Sequence, residues 1–239
     1  MSEPLVVLFE DEHCLVVAKP AGLLTQARGK PIPGELTLEA AVRRYLHPDA
    51  PETVYLGTVH RLDRPVSGVV VWAKSRRAAR RLSNQFAGRM ARKEYWAIVA
   101  GDASHLADVG LWDDWLTAPE RTGAVRLVAP NTPAARQAIT GYRKGARARL
   151  PDGMHWLILR PETGRTHQLR AQAAARGLPI VGDAVYGSET TFPEGIALHA
   201  RSLSVLHPIL RTPATWVTPV PLAWRARGIL LSETEVFDG

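Results

Sequence analysis

The sequence is short of several things that define protein classes. One cysteine, Cys14, stands in 239 residues, which excludes an internal disulfide and a thiolate-based metal cluster and fits a reducing compartment. Long apolar runs are missing as well. The opening stretch 5–9 meets Glu10 and Asp11 almost at once, too soon for a secretory core or for the roughly 20 apolar residues of a membrane helix. A cytoplasmic protein with no membrane partner is expected. There is no internal repeat, low-complexity tract or Pro-rich linker, and acidic residues are scarce, 23 against 30 Lys+Arg, for a net charge of +7. That excess, mostly arginine, favours a polyanionic partner, although a merely solvated basic surface has the same composition. With 46% hydrophobic residues the chain can still bury a substantial core.

The patterning predicts short strands at 5–9 and 14–18. A helix follows over 36–46, where Leu38, Ala41, Val42, Tyr45 and Leu46 recur at helical spacing. The run 68–73 is apolar and rich in valine, as a strand buried on both faces would be. Ser75 is placed to cap a helix through Met90, with Ala79, Leu82, Phe86 and Met90 inward and Arg76, Arg77, Arg80, Arg81 and Arg89 mostly outward. Those arginines suit either a phosphate-facing stripe or a solvated face. Residues 93–100 alternate as a strand does, whereas 101–136 lose periodicity and read as a variable insertion with little core of its own. Periodicity returns at 155–160, and 166–176 reads as a helix with Thr166 as cap and Gly177 as stop. Strands outnumber helices without regular strand–helix–strand units, so an α+β fold in a single domain, 1–239, is expected.

Three segments place functional side chains beside apolar runs: residues 60–65, 93–95 and 162–170. Charged groups there must pair or face a cleft, because an unpaired buried charge is very costly. Asp63 is the sharpest candidate. Arg61 and Arg64 flank it, a setting that favours an ionised carboxylate fit for nucleophilic or base work, and a structural Arg–Asp pair at a loop is the competing reading. The Gly164-Arg165-Thr166-His167 turn offers backbone N–H groups and a guanidinium to an anion at a helix start. His60, His167, His199 and His207 lack metal-ligand spacing, so no metal is expected and a His-dependent phosphodiesterase is the weaker enzyme reading.

In order, these segments resemble the RluA family of RNA pseudouridine synthases. His60-Arg61-Leu62-Asp63-Arg64-Pro65-Val66-Ser67-Gly68 is similar to its catalytic motif, Arg92-Lys93-Glu94-Tyr95-Trp96-Ala97 to its tyrosine motif, and Glu162-Thr163-Gly164-Arg165-Thr166-His167-Gln168-Leu169-Arg170 to its third motif. Leu198-His199-Ala200 with His207-Pro208 is similar to the closing one. The likeness runs from Glu10 through Lys19-Pro20-Ala21-Gly22 to about Pro221. The departures are Val66 where Thr is usual, Ala18 before Lys-Pro where Asn is common, and Ala171-Gln172 where Val-His is frequent.

The resemblance implies a mixed, largely antiparallel bent sheet with flanking helices and a central cleft, and isomerisation of a uridine in RNA to pseudouridine without a cofactor. It makes Asp63 catalytic, sets Tyr95 against the uracil and has Arg165 pair with Asp63. A flipped base leaves a gap to be filled, for which Arg61 is the candidate, and His60, Arg64, Lys93 and Arg170 are the expected RNA contacts. The partner would be a tRNA or rRNA stem-loop, read by a monomer without an N-terminal RNA-binding domain, since the first catalytic-domain strand already begins at Leu5. An RNA-binding or ribosome-assembly protein of the same fold is the alternative.

Overall fold

The computed structural model describes residues 4–27, 36–120, 123–193 and 195–232. In chain order its elements are β1 (Val6–Glu10), β2 (Cys14–Lys19), α1 (Leu38–Leu46), β3 (Gly57–Thr58), β4 (Ser67–Ala73), α2 (Arg76–Ala87), β5 (Arg92–Ala100), β6 (Val109–Leu116), β7 (Leu127–Val128), β8 (Arg136–Lys144), β9 (Ala148–Arg149), β10 (Met154–Pro161), α3 (Gln168–Ala174), β11 (Leu198–Leu206), β12 (Pro213–Val217), α4 (Leu222–Ala226) and β13 (Leu230–Leu231). The fold is α+β and its strand pairing is mostly antiparallel. No described helix is long and apolar enough to cross a membrane. The chain forms two compact units, residues 1–92 with 200–218 and residues 93–199 with 219–239.

In the first unit the strand order is β1-β2-β4-β11, with β3 on β4 and β12 on β11. Alternation decides which side chains meet α2. Cys14 and Val16 from β2, Val69, Val71 and Ala73 from β4, and Leu203 and Val205 from β11 form a cluster with Ala78 and Leu82 of α2. The opposite residues of β4, Val70 and Trp72, are buried too, so this strand is covered on both faces as its composition predicts. Ser75 caps α2 as the sequence suggests, accepting from the Ala78 N–H, and Thr37, which the sequence reading did not single out, caps α1 by accepting from the Ala40 N–H. Met90 does not join the inward stripe. The helix stops at Ala87, Arg89 turns left-handed (φ 57°), and Met90 is exposed.

The second unit carries the antiparallel order β5-β10-β8-β6-β7 and the separate pair β9 and β13. Here the expectation for 101–136 needs correction. Within it β6 pairs with β8 from Val109 to Leu116, and Trp112, Leu116 and Val125 are buried. The strand's other residues include exposed Val109 and Leu111, which blurs the alternation and hid the strand. Arg121 and Thr122 of that stretch lie outside the described residues. Helix α3 is shorter than 166–176, and its cap is His167, left-handed at φ 52° with no side-chain bond to the helix, rather than Thr166.

Candidate active site

In the first unit the segment 60–66 has no regular structure, so its polar backbone must find partners elsewhere. It finds them in the loop after β2. The Thr25 hydroxyl donates to the Leu62 carbonyl at 2.8 Å and accepts from the Leu62 N–H at 3.2 Å. Gly22, at φ +81°, donates its N–H to the Arg64 carbonyl at 2.8 Å, and Arg64 Nε returns a bond to the Gly22 carbonyl at 2.9 Å. Lys19, only 1% exposed, donates from Nζ to the carbonyls of Pro20, Leu23 and Arg64 at 2.9, 2.5 and 3.1 Å. Asp63 itself is half-buried, and the Val66 N–H closes a turn on its carbonyl at 3.1 Å. Both residues beside Asp63 are therefore fixed through their backbone. Burial pulls Lys19 down to about 7, opposed by the negative charge of Asp63.

Around this loop the expected RNA contacts separate. Arg61 is exposed, with no ion pair or side-chain hydrogen bond among the described residues. Arg64 is exposed while its Nε stays on Gly22. His60 faces inward: its Nε2 accepts from the Val71 N–H at 3.0 Å, and its ring stacks on Phe86 with centroids 4.7 Å apart. That nitrogen is an acceptor, so the ring proton sits on Nδ1. His60 is an anchor between the loop, β4 and α2.

In the second unit β5 presents Lys93, Glu94 and Tyr95 in alternation. Tyr95 is half-buried and opposite Leu159 of β10. On the other face Glu94 holds Arg160, with Oε2 3.2 Å from Nε and 3.1 Å from Nη2, and accepts from Trp96 Nε1 at 3.0 Å. Lys93 Nζ donates to the Thr163 carbonyl at 3.1 Å, and burial draws it down to about 8. Lys93 thus ties β5 to the turn that carries Arg165.

That turn is built around a buried amide. Gln168 Oε1 accepts from the Thr163 hydroxyl at 2.7 Å and the Arg165 N–H at 3.0 Å, and its Nε2 donates to the Ile139 carbonyl at 3.1 Å and to Thr140 Oγ1 at 2.9 Å. The Arg165 N–H is consequently engaged, which removes it from the anion cradle that the sequence suggested. Arg165 Nε donates to the Gln137 carbonyl at 3.0 Å, so its side chain is held against β8 while its backbone N–H is held by Gln168 of α3. Gln172, where the family often has histidine, extends the network: it accepts from Thr140 at 2.7 Å and donates to Asp114 at 2.8 Å and to the Ala138 carbonyl at 3.0 Å.

Arg170, expected among the RNA contacts, lies buried in an ion pair. It is 3% exposed, and its Nε and Nη2 bond the two Asp183 oxygens at 2.6 and 2.7 Å. An arginine on a helix reads as a surface residue unless its partner is known, and Asp183 lies 13 residues on. Sequence reasoning also missed Lys19, Thr25 and Gln168 as holders of the polar segments. Lys19 follows the apolar run of β2, and that placement is the one signal of its burial.

The structure carries His60, Arg61, Asp63 and Arg64 on one loop of the first unit, and in the second it joins β5, which bears Lys93 and Tyr95, to the turn of Arg165 through the Lys93–Thr163 bond. A carboxylate on a stapled loop can act as a nucleophile or a base, and a phenol on a strand can stack on a planar base. A model of the RNA pseudouridylate synthase family matches residues 13–175. The chain is 35% identical over 225 residues to the dual-specificity RNA pseudouridine synthase RluA of Salmonella typhi, covering 90% of this chain and 93% of that one. It is 35% identical over 232 residues to the ribosomal large subunit pseudouridine synthase D of Xylella fastidiosa, covering 91% of this chain and spanning 66% of that protein's length. Human RNA pseudouridylate synthase domain containing 1 superposes with a TM-score of 0.74 at 25% identity, over 92% of this chain and 84% of that one. On this sequence and fold similarity, the chain belongs to the RluA family of RNA pseudouridine synthases.

Proposed function

We propose that this chain isomerises a uridine in a tRNA or rRNA stem-loop, with Asp63 as the catalytic carboxylate. The observation that carries the reading is the loop itself. A half-buried aspartate is held through the backbones of Leu62 and Arg64 by Lys19, Gly22 and Thr25, while exposed Arg61 beside it has no partner among the described residues. Such stapling gives a reacting group a fixed position before substrate arrives, at a cost in conformational entropy met on folding. An Arg–Asp pair at a surface loop would not require it.

The reaction needs no outside reagent. The bond from N1 of uracil to C1′ of ribose breaks, the ring turns, and C5 bonds to C1′; the proton that leaves C5 is matched by one gained at N1. Asp63 either adds at C1′ or assists loss of a ribose proton on the way to a glycal. Tyr95 serves as a stacking face and proton carrier, and Arg165 as a fixed cation toward an anion. The uridine is flipped from its helix or loop, and Arg61 enters the stack it leaves. Arg64 and Lys93 are retained as backbone contacts, and His60 is assigned to the loop's structure.

The names of the relatives, dual-specificity and ribosomal large subunit enzymes, point to structured RNA as the substrate class. We place the protein in the cytoplasm as a monomer and treat its two units as one catalytic domain, because the chain crosses between them at residues 92–93, 199–200 and 218–219. Mapping pseudouridine across cellular RNA with and without the gene tests the substrate. Loss of the modification at one or a few stem-loop uridines is expected, and an unchanged map would overturn the reading.

A further inference from the structure

Helix α2 is electrostatically odd. Arg76, Arg77, Arg80 and Arg81 fill its first two turns, and no acidic residue stands in the first. Cations at that end oppose the helix dipole, and the pairs Arg76/Arg80 and Arg77/Arg81 put like charges four residues apart on one face. Among the described residues, Arg77 and Arg80 have no carboxylate partner.

A second element adds to the same patch. The turn between β11 and β12 carries Arg211 in the left-handed region, φ 63°, a strained setting for a residue with a side chain. His207 builds this turn. Its Nδ1 accepts from the Leu210 N–H at 3.0 Å, its Nε2 bonds Asp11 Oδ2 at 2.8 Å, and its carbonyl accepts from the Arg211 N–H at 3.0 Å. The turn meets α2 where Arg81 Nη1 donates to the Pro208 carbonyl at 2.8 Å. Arg211 likewise has no carboxylate partner among the described residues. Slight burial, then the charges of Arg77, Arg211 and Arg80, push Arg81 below the usual arginine range, so these guanidinium groups are mutually repelling neighbours.

Like charges gathered by dedicated structure, each adverse to the free protein, are relieved by a bound anion. We propose that α2 and the β11–β12 turn form a phosphate-binding platform for the RNA strand flanking the target uridine, with Arg77, Arg80, Arg81 and Arg211 as its cations. This rests on the proposed function and assigns the patch to that substrate's backbone. The connection to Asp63 lies within the first unit, through the His60–Phe86 stack at the far end of α2. From Phe86 back to Arg77 is about 14 Å at 1.5 Å per residue, a distance that a short run of RNA backbone covers.

The test combines Arg77→Gln, Arg80→Gln and Arg211→Gln, sparing Arg81 for its bond to Pro208. A control triple, Arg44→Gln, Arg149→Gln and Arg227→Gln, removes the same charge from exposed positions elsewhere. Binding of a stem-loop that the parent modifies is measured from 50 to 300 mM KCl, all proteins carrying Asp63→Asn. The platform triple should bind at least about tenfold more weakly at 100 mM salt, with a log–log salt slope shallower by about 2 to 3, the share of three lost phosphate contacts. Its melting temperature should equal or exceed the parent's, because repulsion is removed. Parent-like binding, equal losses in both triples, or a lowered melting temperature would each overturn the platform. If the parent modifies RNA and the platform triple binds as the parent does, the platform alone falls; if the parent modifies no RNA, the proposed function falls and the platform with it.

Discussion

Lys19 is a buried ammonium whose bonds all go to backbone carbonyls, one of them Arg64's beside the proposed catalytic aspartate. Replacing it by Met leaves the three carbonyls without that donor, so Lys19→Met should lose on the order of 1–3 kcal/mol of stability at neutral pH. The deficit should grow with pH. Burial holds the folded group near 7 against an unfolded 10.5, so above pH 7 the unfolded chain binds the extra proton and the parent gains stability, by at most about 1.4 kcal/mol per pH unit up to about pH 10. Urea unfolding of both proteins at pH 6, 7.5 and 9 checks the sign; a deficit that shrinks with pH contradicts it. Arg170 and Asp183 offer a second test in the other unit. Arg170→Met strands a buried carboxylate and should destabilise by about 3–5 kcal/mol, whereas Arg170→Met with Asp183→Leu should recover much of that loss. Denaturant midpoints of the two variants decide it, and equal midpoints would show that the stranded charge is not the cause.

At the level of elements, close backbone approaches set the tolerances. Gly68, the second residue of β4, sits at φ +127°, and a Cβ there would stand 2.3 Å from the Ala200 carbonyl of β11. Gly68→Ala should therefore cost more than about 3 kcal/mol or yield insoluble protein, seen in soluble yield and thermal midpoint; parent-like values would refute the clash. The turn before α3 depends on Gln168. Gln168→Leu removes the acceptor of the Arg165 N–H, and if Arg165 serves the site as proposed, a small displacement of its guanidinium should lower turnover by up to about a hundredfold. Single-turnover rates should fall while RNA affinity stays within a few-fold; an equal drop in affinity would indicate plain structural damage. These elements also show what a sequence discloses. Alternation and caps are local, so β2, β4, β5, β10, α1 and the start of α2 were legible from their own residues. β6 was not, because solvent-facing Val109 and Leu111 mix with buried Trp112 and Leu116. The proposed site residues Asp63, Tyr95 and Arg165 stand out through their motifs. The residues that hold them were obscure, since Thr25 meets Leu62 across 37 positions and Lys19 meets Arg64 across 45, pairings that no local pattern encodes.

Over the whole molecule, the residues proposed for the reaction fall in two units of the chain, Asp63 in one and Tyr95 and Arg165 in the other. The net charge of +7 first suggested a polyanion; the structure gives part of that excess a location, on α2 and the β11–β12 turn. The central claim is that Asp63 drives isomerisation of uridine in RNA. Forming pseudouridine expels the hydrogen on C5, so RNA labelled with tritium at C5 of uridine releases tritium to water only as the new carbon–carbon bond forms. The parent protein, given such RNA from cells lacking the gene, should release tritium in step with pseudouridine formed, and Asp63→Asn should bind the RNA and release none. Release by Asp63→Asn at the parent's rate would contradict the assignment.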